Sequence, residues 1–251
     1  MTTTQLEQHL KALRLSGMIE SLPVRNQQAL SSNLTPVEFL ELLVSDELNR
    51  RSDTLLRTRL KQADFPAHKT LEDFNFAFNP SINKKQIFDL ATGRFIASAA
   101  GVFLLGPPGV GKSHLAIALG IKAVCAGYRV LYRTAIELLE DIAEAKATGG
   151  AKKFFKALTQ AQLLIIDDFG LHKLPPHAAE NLLDVFVKRY EKSSIIVTSN
   201  RPLEDWGTII GDTAAATAIL DRFLHHATVI TIKGKSYRLT KQENLLQKKT
   251  D

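Results

Sequence analysis

The chain has 251 residues, 45% hydrophobic and 23% charged, with a formal net charge of +6. That balance fits a globular protein with room for one large domain, or one domain plus a small one. No apolar run approaches the roughly 18–20 residues that span a bilayer, and MTTTQLEQHL lacks the basic-then-apolar layout of a signal peptide. A single cysteine, Cys125, excludes an internal disulfide and any multi-cysteine zinc site, and the histidines show no metal-ligand spacing. A reduced, cytoplasmic setting is expected, with Cys125 a small buried hydrophobe on a helix.

Residues 1–65 read as a small all-α domain. Thr4–Glu7 has the pattern of a capping box opening a helix with Leu6, Leu10 and Leu13 on one face, and Gly17 is placed to close it. Thr35-Pro36-Val37-Glu38 is a second capping box, with proline at the first helical position and Phe39, Leu40, Leu43 and Leu48 following. Asp64-Phe65-Pro66 breaks the pattern, because the residue before a proline is pushed out of the α region. So short a helical segment makes a thin core, and it is expected to serve interaction or oligomerisation by packing on a neighbour.

Residues 66–251 change texture to alternating β and α. Candidate strands are Val102–Leu105, Arg129–Tyr132, Leu163–Asp167, Ile195–Thr198 and Thr228–Ile232. The middle three are apolar runs or nearly so, as in parallel strands covered on both faces. With helical patterns between them, they predict a three-layer α/β domain. A helical pattern over Ile136–Lys146 is followed by Gly149-Gly150, which ends it. A lid and basic tail are expected from about residue 203. Residues 222–251 hold seven basic and two acidic side chains, which suits either a solvated tail or a nucleic-acid partner.

The sharpest feature is Gly106-Pro107-Pro108-Gly109-Val110-Gly111-Lys112-Ser113, which completes G-x-x-x-x-G-K-[ST] between the strand Val102–Leu105 and a helix opening at His114. In that context the glycines turn successive backbone N–H groups around a phosphate chain at a helix N-terminus, where the dipole favours anions. Lys112 would reach the β- and γ-phosphates and Ser113 would hold Mg2+. Leu163–Ile166 then runs into Asp167-Asp168. In a P-loop protein the first acid supports Mg2+ and the second orients and partly deprotonates the attacking water. The strand Ile195–Thr198 ends in Ser199-Asn200-Arg201. An amide there, between the P-loop strand and the acidic strand, can hydrogen-bond both the γ-phosphate and the lytic water, so Asn200 is the sensor candidate. The chain is therefore expected to bind ATP with Mg2+ and to hydrolyse it.

The set GPPGVGKS, LLIIDDFG, VTSNR, ILDRF and GKSYR resembles the AAA+ ATPases of the DnaC/IstB group over about residues 70–240, and LEDFNF, LATGRFI and IIDDFG look most like IstB. The resemblance implies a five-stranded parallel sheet with a reduced lid behind a helical N-terminal domain. It also implies a transposition helper that oligomerises on duplex DNA without sequence preference, remodels it, and recruits an IstA-like transposase. It places Arg222 as an arginine finger inserted into a neighbouring subunit's ATP site, Arg238 as a second sensor, and Thr70–Phe78, Phe76 included, near the adenine base. His114 joins the nucleotide-binding set. Lys146, Lys152, Lys153, Lys156 and Lys173 lie in regions that face DNA in this branch, where they would meet phosphates. Most AAA+ enzymes carry Glu at the position of Asp168, which suggests slow or partner-stimulated hydrolysis. A DnaC-like helicase loader is the alternative; a single cysteine excludes the cysteine-based metal module of the DnaI type.

Overall fold

The computed structural model describes residues 3–171, 174–175, 177–237 and 239–240. The chain divides into two compact units, residues 1–58 and 59–251.

The first unit contains α1 (Thr3–Ala12), α2 (Ser16–Ser32) and most of α3 (Pro36–Ala63). The second capping box forms as expected: Thr35 N–H donates to Glu38 Oε2 at 2.7 Å, and Glu38 N–H to Thr35 Oγ1 at 3.4 Å. Thr4, expected to open the first helix, lies within it, since α1 begins at Thr3. Gly17 does not close α1; it lies in the first turn of α2 and is buried. A Cβ there would lie 2.8 Å from Glu47 Cα, so this glycine permits the close approach of α2 to α3. The Glu47 carboxylate uses that approach. Its Oε2 accepts from Gly17 N–H at 2.6 Å and Met18 N–H at 3.2 Å, capping α2 from a neighbouring helix where the dipole favours an anion. The α3 helix ends at Ala63, and Asp64 takes φ 60° before Phe65-Pro66; the two units divide earlier, after Thr58.

The second unit is built on a parallel sheet of order β2-β3-β4-β1-β5. After α4 (Lys84–Ala91) and α5 (Arg94–Ala97) come β1 (Gly101–Leu105), α6 (Lys112–Cys125), β2 (Val130–Thr134), α7 (Ala135–Ala147), α8 (Ala151–Gln160), β3 (Leu163–Phe169), α9 (Ala178–Arg189), β4 (Ser194–Ser199), α10 (Trp206–Ile210), α11 (Thr213–Leu224) and β5 (Ala227–Thr231). One sheet face carries α6. On the other, Phe103, Leu164, Ile166, Ile195 and Val197 form one core with apolar residues of α7 to α11. This gives the three layers expected of an α/β domain. Residues 203–224, expected to begin a lid, belong to that core through Trp206, Ile219 and Phe223 and lead into β5. Among the described residues only 232–237 and 239–240 follow β5. Cys125, expected to be buried, is exposed at the end of α6. No helix among the described residues is long and apolar enough to cross a membrane.

Arg189, fully buried on α9, fastens the outer elements together. Its guanidinium donates to the carbonyls of Leu158, Ala161 (2.9 Å) and Ser194 (2.7 Å). Those bonds tie the end of α8 to the start of β4. Burial pushes this guanidinium down to about 9.

Candidate active site

Parallel strands bring their C-terminal ends to one edge of the sheet, and ligands bind α/β sheets there. The expected loop, carboxylates and amide meet at that edge. The P-loop leaves β1, Asp167-Asp168 lie near the end of β3, and Asn200 follows β4, which lies between the other two. The loop is tied to its neighbour by Gly106 N–H, which donates to Ser199 O at 3.1 Å.

Inside the loop Gly109 takes φ 80° and Gly111 φ 103°, the region that favours glycine. Space demands glycine as well. A Cβ on Gly109 would come within 2.1 Å of Ser236 Oγ, and one on Gly111 within 2.6 Å of the Phe74 ring. Two segments therefore flank the loop. The tail does so through Ser236 and through Tyr237 N–H, which donates to Gly109 O at 2.9 Å. The stretch before α4 does so through an aromatic series: Phe74 meets Phe76 at 4.8 Å and His114 at 5.1 Å between ring centroids, and Phe78 meets Tyr237 at 5.0 Å. The His114 ring bonds Thr70 O at 2.7 Å, so its imidazole faces this segment. Lys112 is 6% exposed and donates to Pro107 O at 2.9 Å, across the loop it belongs to; Ser113 follows it in the first turn of α6.

The two carboxylates are held differently. Asp167 is 2% exposed. Its Oδ2 accepts from the Tyr132 hydroxyl at 2.6 Å, and its Oδ1 from Thr198 Oγ1. Burial, then the bond to Asp167, pushes the Tyr132 hydroxyl far above the usual tyrosine range, so it stays a donor. Asp168 projects from a bulge that interrupts the β3–β4 register between Ile166 and Phe169. Its backbone is left-handed, φ 54°, and its N–H donates to Thr198 Oγ1 at 3.0 Å. Asp and Asn adopt that backbone more readily than longer side chains do, which gives a local reason for Asp at this position. Asn200 carries a buried Oδ1 with no hydrogen-bond partner among the described residues. A buried amide oxygen without a partner is uncommon and calls for an explanation.

Among the described residues no cluster of three or more His, Cys, Asp or Glu side chains could hold a metal ion. A metal at this edge would therefore rest on Ser113, Asp167 and phosphate oxygens together, a donor set of oxygens that suits Mg2+. Arg222 lies elsewhere. It is exposed on α11, donates to Ala218 O at 3.0 Å, and borders a small cavity of about 110 Å3 with Gly101, Tyr190 and His226. Gly101 opens β1, whereas the P-loop follows its other end. Of the lysines, Lys152, Lys153 and Lys156 are exposed on α8, opposite Phe154, Phe155 and Leu158, which pack inward. Lys146 instead bonds Asn181 Oδ1 at 2.5 Å. Lys173 and Arg238 lie outside the described residues.

Sequence reasoning missed Tyr132, Thr198, the contact of Phe74 with the loop at Gly111, and the part Ser236 plays against Gly109. A tyrosine following Val130 and Leu131 in a strand is a usable signal, since a buried hydroxyl needs a partner. The Thr198 contact depends on β3 and β4 being neighbours.

A phosphate loop, paired carboxylates and a strand-tip amide along one edge of a 2-3-4-1-5 parallel sheet define a P-loop domain of the AAA+ class. AMPPCP-bound DnaA from Aquifex aeolicus matches this fold with a TM-score of 0.55 at 21% identity, over 74% of this chain and 56% of that one. The DnaC helicase loader matches with a TM-score of 0.51 at 23% identity, over 68% of this chain and 97% of that one. The profile of the IstB-like ATP binding protein family matches residues 8–245, and the chain belongs to that family. A protein described as the ATP-binding protein of insertion sequence IS21 from Pseudomonas aeruginosa is 45% identical over 230 residues, 92% of this chain and 86% of that protein. Its counterpart in IS5376 from Geobacillus stearothermophilus is 35% identical over 247 residues, 98% of each.

Proposed function

We propose that this chain is a Mg2+-dependent ATPase that assembles as a homo-oligomer on duplex DNA, remodels it, and recruits and stimulates an IstA-like transposase. The observation that supports the catalytic part most is Asn200, whose buried Oδ1, without a hydrogen-bond partner among the described residues, stands at the tip of the strand between the P-loop and the paired carboxylates. Bound ATP supplies the phosphoryl group, with Mg2+ neutralising its charge. Residues Gly106 to Ser113 wrap the phosphates through backbone N–H groups, and Lys112 neutralises the β- and γ-phosphates. Ser113 and Asp167 hold the metal. Asp168 orients the attacking water and accepts its proton as the bond to ADP breaks. Asn200 fixes that water against the γ-phosphate. Phe76 belongs to the aromatic segment that receives the base, and Arg238 is the second sensor.

Arg222 serves a neighbouring copy. It lies by the first residue of β1, and that five-residue strand is roughly 16 Å long, so it stands at the far end from its own phosphate loop. A guanidinium there is placed to complete a site in trans. Residues 1–58 form the helical interaction unit. On DNA, Lys152, Lys153 and Lys156 are free to meet phosphates from one exposed face of α8. The likeness to DnaC carries the fold alone, and the relatives of high identity belong to insertion sequences, so the helper reading is preferred to a helicase loader.

The test is ATP turnover with and without duplex DNA, with Asp168→Asn beside the wild type. The variant should bind ATP and DNA and fail to hydrolyse; wild-type turnover in it would remove Asp168 from the mechanism. Affinity for unrelated duplexes should fall steeply with salt. Retention of a replicative helicase, and not a transposase, in a pull-down would replace the helper reading with the loader.

A further inference from the structure

The Asp167 carboxylate is gripped from β2, and β2 is gripped in turn by the two residues that follow α3. Tyr132 is 5% exposed and gives its hydroxyl to Asp167. Its ring meets the Phe65 ring, with centroids 6.2 Å apart and planes tilted by 59°. Phe65 is seated against α6 at Gly120, where an added Cβ would come within 2.8 Å of Phe65 Cε1 and 2.7 Å of Ile165 Cδ1. Next to it, Asp64 pairs with Arg133 at 2.9 Å, and Arg133 is held on its other side by Asp141 at 2.8 Å. Successive residues of one segment, Asp64 and Phe65, thus hold successive residues of one strand, Arg133 and Tyr132.

We propose that Tyr132 is a positioning residue for Asp167, and that Phe65 sets Tyr132, so that the segment leaving α3 acts on the metal-holding carboxylate. A carboxylate offers about four lone-pair sites; the bonds from Tyr132 and Thr198 occupy one on each oxygen and leave the rest for a metal and its waters. Without the tyrosine hydroxyl the carboxylate is anchored at one oxygen only and turns about its own bonds. Partners that orient a metal ligand are worth about 10–100-fold in metal affinity or activity. Thr198 cannot substitute for Tyr132, because its hydroxyl also accepts from Asp168 N–H. The inference rests on the Mg2+-ATP reading above.

The experiment is a Mg2+ titration of the full chain with a fluorescent ATP analogue, against the same binding in EDTA, and needs no turnover. Tyr132→Phe keeps the ring and its seat and loses only the hydroxyl. Binding in EDTA should stay within about twofold of wild type, while half-saturating Mg2+ rises about tenfold. Phe65→Ala should raise it about threefold, and Phe65→Leu should recover most of that. Because Phe65 acts through Tyr132, the double variant should be no worse than Tyr132→Phe alone. A Tyr132→Phe titration that superimposes on wild type overturns the proposal, as does a Phe65→Ala effect that adds in full in the double variant. If wild-type binding shows no Mg2+ dependence, the ATPase reading fails and takes this one with it.

Discussion

Each of the two units of the chain is held by different forces within itself. In residues 59–251 the sheet is sealed by apolar layers: every residue of β1 and β4 is buried, as are all of β3 except Asp168. Among the described residues of 1–58 the buried apolar side chains are Leu22 and Leu43, while Leu13, Leu30, Val37, Leu40 and Leu48 are exposed. Polar clasps take over there. Arg25 makes a two-pronged bond to Asp46 at 2.8 Å and 2.8 Å, Arg50 pairs with Glu20, and the Glu47 carboxylate caps α2 while accepting from Arg51 at 2.7 Å. A short helical unit cannot bury enough surface to do without them. The lesson is that the sheet unit should answer to changes in packing and backbone, and the helical unit to changes in charge.

The largest effect expected belongs to Arg189. Arg189→Met fills a similar volume but removes the guanidinium's bonds to three buried carbonyls, at about 3–5 kcal/mol in all. Segment-resolved hydrogen exchange should show protection lost across residues 59–251 and kept in α1 and α2; equal loss in both would break the comparison. Gly111→Ala comes next. It forces a side chain onto φ 103° and into Phe74, costing about 2–3 kcal/mol and weakening ATP binding in calorimetry, while the helical unit is untouched.

Gly17→Ala is the matching change in the first unit. It should part α2 from α3 and loosen the Glu47 cap, at about 1–2 kcal/mol, seen as faster exchange in α2 with ATP affinity unchanged. The smallest effect is that of acid. The bond from Arg25 holds Asp46 below the usual carboxylate range. Burial pushes Glu47 up, but Arg51 and the Gly17 and Met18 N–H groups outweigh it and hold that carboxyl low too. Depressed carboxylates stabilise the fold fully above their unfolded values of about 4, and the contribution is lost as pH falls below them. Exchange in α2 and α3 should therefore quicken between about pH 4.5 and 3, relative to the sheet; parallel loss in both units would contradict it.

The sequence was most legible where one residue type serves one purpose. The apolar runs marked all five strands to within a few residues, and the P-loop, Asp167-Asp168 and Asn200 meet where their positions at strand ends required. The end of β2 was misplaced: the expected Arg129–Tyr132 became Val130–Thr134, although Thr134 and Glu137 spell a capping box that forms, with Glu137 N–H donating to Thr134 Oγ1 at 3.2 Å. Gly17 misled because a helix stop and a close helix–helix approach both ask for glycine. Residues 203–224 misled because helices that follow β4 look alike in sequence whether they cover the sheet or form a lid. Tyr132 and Thr198 stayed hidden for a deeper reason. Their partner is Asp167, and only the order of strands in the sheet brings β2, β3 and β4 side by side.

The central claim is that each ATP site takes its carboxylates and Asn200 from one copy and Arg222 from the next. Mixing two inactive variants, Asp168→Asn and Arg222→Ala, measures this directly. Alone, each should bind ATP and hydrolyse almost none. Mixed in equal amounts with duplex DNA, they place an intact Asp168 opposite an intact Arg222 at about a quarter of the interfaces if copies combine at random, and turnover should return to about that fraction of wild type, on the mechanism of a finger supplied in trans. A mixture as inactive as its components would contradict the account.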